Sequence, residues 1–90
     1  MSQTHFSLRQ LVMTARAKDT LHPQDLQQCL QRHAAGDWGE LCDGDRRENE
    51  IALVQGRRLF SVYHDRSKIK FYIITEADRS ATTILLPEDY

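Results

Sequence analysis

KFYIITEADRSATTILLPEDY, residues Lys70–Tyr90, holds two apolar runs separated by a compact charged turn and closed by Pro87. Ile69–Thr75 and Thr82–Leu86 are rich in β-branched and aromatic residues, with Glu76–Ala77–Asp78–Arg79–Ser80 between them, which is the pattern of a β-hairpin. One step upstream the pattern repeats. Leu59–His64 is a third strand-like run, joined to Ile69–Thr75 by the polar loop Asp65–Arg66–Ser67–Lys68. Three consecutive runs with short loops predict an antiparallel meander. Its residues alternate: Ile69, Phe71 and Ile73 point one way, Tyr72 and Ile74 the other, and Ile84 and Leu86 oppose Leu85. A sheet apolar on both faces calls for cover on both, so helices are expected on one face and a dimer or other partner on the second.

Towards the N-terminus the period lengthens. Pro23 suits a first helical turn, and Leu26, Cys29, Leu30, His33 and Ala34 share one face before Gly36 ends the segment. Gln24, Gln27, Gln28, Gln31 and Arg32 make the opposite, solvated face. A third helix is predicted from Ile51, Ala52 and Leu53, with Asp45 and Glu48 at capping-box spacing and Gly56 as its terminator. The joint Asp37–Trp38–Gly39–Glu40 between them is too glycine-rich for a helix, and Trp38 is expected to plug it with its indole N–H on a carbonyl. Before Pro23, Ser7 and Gln10 have capping-box spacing, with Leu8, Leu11, Val12 and Ala15 on one face, although Leu11–Thr14 reads equally as a strand. The predicted fold is therefore one α+β domain over 1–90: two to three short N-terminal helices followed by a three-stranded antiparallel β-meander.

Composition narrows the function. Hydrophobic content of 40% and charged content of 28% are those of an ordinary globular chain, and a net charge of −1 gives no overall pull toward nucleic acid or anionic membrane. Charge is nonetheless sorted: residues 1–36 and 57–70 are net basic, 37–56 and 71–90 net acidic. Such patches favour protein partners over a bare phosphate backbone. No apolar run nears the ~18 residues of a membrane span, and Met1–Gln10 does not read as a secretory signal. Cys29 and Cys42 are expected to be free thiols, and the chain is expected in the cytoplasm.

Three constellations could carry chemistry. Glu76 and Asp78, with Asp37, Glu40, Asp43 and Asp45, could offer carboxylates to Mg²⁺, but caps and turn formers are the plainer reading, and no metal or cofactor is expected. His33 with Glu76, Asp78 and Arg79 could imitate a small ribonuclease or metal-dependent enzyme, against a structural His at a helix end. Arg57, Arg58, Arg66, Lys68 and Lys70, interleaved with Phe60, Tyr63, Phe71 and Tyr72, could stack single-stranded bases as a nucleic-acid-binding regulator, against core aromatics. A meander puts Arg57 and Arg58 beside Glu76, Asp78 and Arg79, and Glu88 and Asp89 beside Arg66 and Lys68.

RHAAGDWGELCDGDRRENEIAL (Arg32–Leu53) and KFYIITEADRSATTILLPEDY (Lys70–Tyr90) resemble a family of short, "plasmid-related" proteins carried by plasmids and integrative elements of Gram-negative bacteria, some bearing a restriction–modification subunit label. The resemblance covers about the C-terminal two-thirds, through GDWG, the NE before the third helix, and ITEADRS–TT–LLP. The N-terminal third departs, since relatives tend to have Gly in place of Arg9 and Pro–Gly near Ala15–Arg16. The family supplies no catalytic residues. Its mobile-element setting implies a non-enzymatic binder that inhibits a host defence complex, of anti-CRISPR or anti-restriction type, whose partner is a host- or element-encoded protein complex. The candidate surface for it is Asp37, Trp38, Glu40, Arg57, Arg58, Glu76, Asp78 and Arg79.

Overall fold

The computed structural model describes Phe6 and Leu8–Tyr90. The expected α+β class is what forms, with a mixed four-stranded sheet in place of the three-stranded antiparallel one. Strand β1 is Gln10–Met13, followed by helices α1 (Ala15–Thr20), α2 (Pro23–Ala34) and α3 (Asp43–Gln55). Strands β2 (Leu59–His64), β3 (Lys70–Thr75) and β4 (Ala81–Leu85) then make the meander, and a 3₁₀ turn covers Pro87–Asp89. The strand order is β1-β4-β3-β2, with β1 parallel to β4.

The first predicted helix is thus corrected. Leu11 and Val12 do not join Ala15 on a helical face; they lie in β1, and α1 begins only at Ala15. The physical reason is β4, whose outer edge would otherwise be open. Gln10 to Met13 pair with Ala81 to Ile84, and the Thr14 N–H continues the ladder onto the Ile84 carbonyl at 3.1 Å. Thr14 then caps α1, its Oγ1 accepting from the Ala17 N–H. The Ser7–Gln10 capping box involves Ser7, which lies outside the described residues.

The meander follows its alternation. Tyr63, Phe71, Ile73 and Ile84 are fully buried beneath Ala17, Leu21, Leu26 and Cys29, so α1 and α2 cover one face. A second cluster of Trp38, Ala52 and Leu59 joins α3 to β2 on that same face. The opposite face carries Phe60, Val62, Tyr72, Ile74 and Leu85. Tyr90 reaches back over it, packing edge-on against Phe60 and Tyr72 with centroids 6.3 and 5.8 Å away.

α2 spans the predicted residues, and its solvated face is as read. α3 starts without the predicted box: its N-cap is Cys42, with no side-chain cap, while Asp43 and Asp45 place negative charge at the positive end of the helix. Gly56 ends it in the left-handed region at φ 70°. The Trp38 indole donates to the Glu50 carboxylate at 2.9 Å rather than to a carbonyl.

Pro87 redirects the C-terminal end, which overturns one expected pairing. Asp89 accepts from Thr14 Oγ1 at 2.7 Å and pairs with Arg16 at 3.3 Å. Arg66 turns instead to Asp25, gripping both carboxylate oxygens at 3.0 Å.

The outer edge of β2 is sealed. Asn49 of α3 donates to the Phe60 carbonyl and accepts from the Phe60 N–H, while the Trp38 carbonyl and Glu40 N–H take the N–H and C=O of Val62. Asn49→Ala is expected to cost about 2 kcal/mol, since it strands both backbone groups of Phe60. Urea denaturation would measure this, and faster amide exchange at Phe60 would place it. Unchanged stability would mean that water replaces Asn49 without loss.

Candidate functional site

The predicted surface residues fall in two places. Asp37, Trp38 and Glu40 form the joint that seals β2. Asp37 receives the Arg32 guanidinium at 2.8 and 3.3 Å and the Gly39 N–H at 3.1 Å, and this pairing with Arg32 holds its carboxyl below the usual range. The Asp37 carbonyl accepts the Tyr63 hydroxyl at 2.5 Å. Trp38 is buried, and Glu40 lies 2.6 Å from His64 Nδ1. The acidic side chains are exposed, but the joint is first a clamp.

Arg57, Arg58, Glu76, Asp78 and Arg79 gather at the other place, the end of the sheet where β2 begins and β3 turns into β4. The expected proximity is present, through different bonds: among the described residues no ion pair joins them. Arg79, at φ 64° in the turn, spends its guanidinium on the carbonyls of Ala52, Arg57, Glu76 and Ala77. It ties the C-terminal turn of α3 to the β3–β4 hairpin. Asp78 accepts from the Ser80 N–H at 3.0 Å, and its bonds to Ser80 keep its carboxyl low.

Arg58 and Glu76 stand over the second face of the sheet. With Tyr90 they rim an open cavity of about 270 Å³ whose floor is Ile74, Thr83 and Leu85. The Arg58 guanidinium donates to the Tyr90 hydroxyl at 3.1 Å. Arg58 and Tyr90 also border a neighbouring cavity reaching Phe60, Asp45 and Glu48. Sequence reading missed Tyr90 and the floor residues. Period-two alternation had put Ile74 and Leu85 on the second face, but nothing local shows Pro87 turning Tyr90 back over it.

His33 is not at a surface. It is fully buried, with Nδ1 2.5 Å from Ser61 Oγ and Nε2 2.8 Å from Thr75 Oγ1, and Thr75 Oγ1 continues to Thr82 Oγ1 at 2.8 Å. Phe6 and Trp38 pack edge-on against its ring. Burial pushes its pKa down to about 4, helped by the charge of Arg79. A neutral imidazole with both nitrogens engaged and no exposure has no route to a substrate proton, which removes the ribonuclease-like arrangement with Glu76, Asp78 and Arg79. Among the described residues no group of three or more His, Cys, Asp or Glu could hold a metal ion.

The basic and aromatic set also separates. Tyr63 and Phe71 are core residues on the helix-covered face, whereas Phe60 and Tyr72 lie on the other. Arg66 is held by Asp25, and Lys70 sits 5.8 Å over the Tyr72 ring, at the opposite end of β2 from Arg57 and Arg58. Arg58, Phe60, Tyr72 and Lys70 nonetheless share the second face, with the Phe60 and Tyr72 rings 4.9 Å apart.

Both cysteines are free, Cys29 buried and Cys42 exposed. Among the described residues no helix is long and apolar enough to cross a membrane. Compared with protein-family models, curated proteins and solved structures, the chain has no match.

Proposed function

We propose that this is a non-enzymatic interaction protein of a mobile genetic element, acting in the cytoplasm as an inhibitor that occludes a surface of a host defence complex. The observation that carries the reading is the cavity on the second face of the sheet, where Arg58, Glu76 and Tyr90 rim a floor of Ile74 and Leu85 that is itself buried. This cavity is open rather than enclosed, so a protein surface suits it better than a metabolite. An arginine and a tyrosine bordering such a patch are among the residue types that dominate protein–protein affinity. The burial of His33 adds support, because the histidine weighed for acid–base chemistry is engaged in the core. The resemblance to plasmid-borne proteins supplies the setting, because small accessory proteins of such elements are often binders that blunt host defence.

The test is affinity capture from lysates of Gram-negative hosts at low salt, with wild type beside Arg58→Glu and Tyr90→Ala. Both side chains are exposed, so thermal midpoints should barely move. Capture of a defence-complex subunit is expected to fall about tenfold or more with either variant, the loss typical of a hot-spot residue. Recovery that is equal with all three proteins removes this face as the site, and recovery of nothing removes the function.

A further inference from the structure

The two edges of the sheet are treated in opposite ways. On β2 the outward backbone groups of Phe60 and Val62 are satisfied by Asn49, Trp38 and Glu40. On β1 they are not. Because the Thr14 N–H points to β4, alternation aims the N–H and C=O of Val12 at β4 and those of Leu11 and Met13 away from it. Among the described residues nothing pairs with these outward groups. The side chains are bare as well, Leu11 at 53%, Val12 at 40% and Met13 at 38% exposure. Lysines, prolines and bulges are the usual protection of an edge, and Gln10–Met13 has none of them.

We infer that β1 is a self-association edge, on which a second copy of this chain adds its own β1 antiparallel about a two-fold axis through Val12. That register satisfies backbone and side chains together. It sets Leu11 against Met13 of the other copy as a hydrogen-bonded pair, each exchanging both of its outward N–H and C=O groups. It sets Val12 against Val12 as the closer, non-bonded pair. Leu11 and Met13 lie on the helix-covered face with Thr82 and Ile84, and Val12 on the other with Thr83. The axis preserves those faces, so apolar contacts continue across the junction on both sides of one sheet.

The self-matching register favours a second copy as the occupant, and charge does not oppose it. The strand is uncharged, and the register places Gln10 against Thr14, so no like charges meet across the axis within it. Area sets the strength. A four-residue edge buries well under the roughly 1,200 Å² of a standard stable interface, so the dimer is weak and concentration-dependent. The edge is separate from the Arg58–Tyr90 face, and its pairing stands or falls without that reading.

The register gives a charge-swap test. Val12→Lys and Val12→Glu each put two like charges face to face on the axis, and Val12 is exposed enough that the monomer should keep its fold. Sedimentation equilibrium from micromolar to millimolar concentration should show wild type approaching twice the monomer mass. Each variant alone should associate about tenfold more weakly or worse, and an equimolar mixture should recover association. In wild type, amide exchange at Leu11 and Met13 should slow as concentration rises. A monomer at every concentration overturns the inference, as does association that neither variant weakens. So does a mixture no better than its components, or protection at Leu11 and Met13 that ignores concentration, which would mean that the chain covers its own edge.

Discussion

Gly39→Ala is expected to abolish the folded state, at a cost above about 4 kcal/mol, beyond the ordinary range of single substitutions. Gly39 holds φ 77°, where an L side chain is already strained. Steric overlap adds more than that strain. A Cβ there would fall deep inside the Val62 carbonyl oxygen and 2.8 Å from two atoms of the Tyr63 ring. Neither neighbour is free to retreat. The Val62 carbonyl accepts from the Glu40 N–H at 2.8 Å, and the Tyr63 ring is anchored by its hydroxyl on the Asp37 carbonyl and packed on Phe71. Relief would require lifting the joint off β2, which exposes Trp38 and reopens the sealed edge. Gly56 is the control, since it has φ 70° but nothing within 4 Å of its Cβ. Gly56→Ala should therefore cost only about 1–2 kcal/mol, the left-handed strain alone. Urea denaturation of the two variants side by side decides the matter. A Gly39→Ala protein within about 1 kcal/mol of Gly56→Ala would show that the joint yields and that its close approach is not required.

The second large effect is acid lability set by His33. The unfolded chain takes a proton on this residue near pH 6.5, whereas the folded protein resists until about pH 4. Between those values the unfolded state binds more protons, so stability falls as pH falls. The contribution is fully present above pH 6.5 and is lost progressively down to pH 4, about 3 kcal/mol in all. Carboxylates act lower down: Asp25, Asp37 and Asp78 are held below their ordinary value of 3.8 by Arg66, Arg32 and Ser80, and their losses come on as pH drops through and beneath that value. His33→Leu separates the windows. At pH 7 it should be less stable by about 2–3 kcal/mol, because the Ser61 and Thr75 hydroxyls lose their shared partner. Between pH 6.5 and 4 its stability should decline less than that of wild type. If urea midpoints show the same pH slope for both proteins, another group carries the acid response.

The meander was readable because each strand is long enough to show alternation and each loop short enough to leave one connection. Ile69–Thr75 put its residues on the correct faces, and α2 was equally plain from Pro23 to Gly36. β1 was harder for a physical reason. Four residues give too little periodicity to separate strand from helix, and their partner Ala81–Ile84 lies most of the chain away. The candidate surface shows the same divide. Hairpin geometry brought Arg57 and Arg58 to Glu76 and Arg79, but not the use of Arg79 on four backbone carbonyls. His33 was visible on the inner stripe of α2, while its partners Ser61 and Thr75 sit 28 and 42 residues on, which no local pattern encodes.

The parallel pairing of β1 with β4 also bears on how the chain reaches this state. Both hairpins of the meander form from near neighbours, whereas Gln10 meets Ala81 only by closing a loop of nearly the whole chain. Loop closure grows slowly with length, about 0.6 kcal/mol per doubling, so the equilibrium cost is modest. The ordering in time is not. Non-local pairing is expected to follow local, so the first strand of the sequence should be the last to dock. Until it does, β4 is itself an open edge, and the Thr14–Asp89 contact that fastens the corner has yet to form. Refolding at high concentration therefore exposes a second open edge, one residue longer than β1.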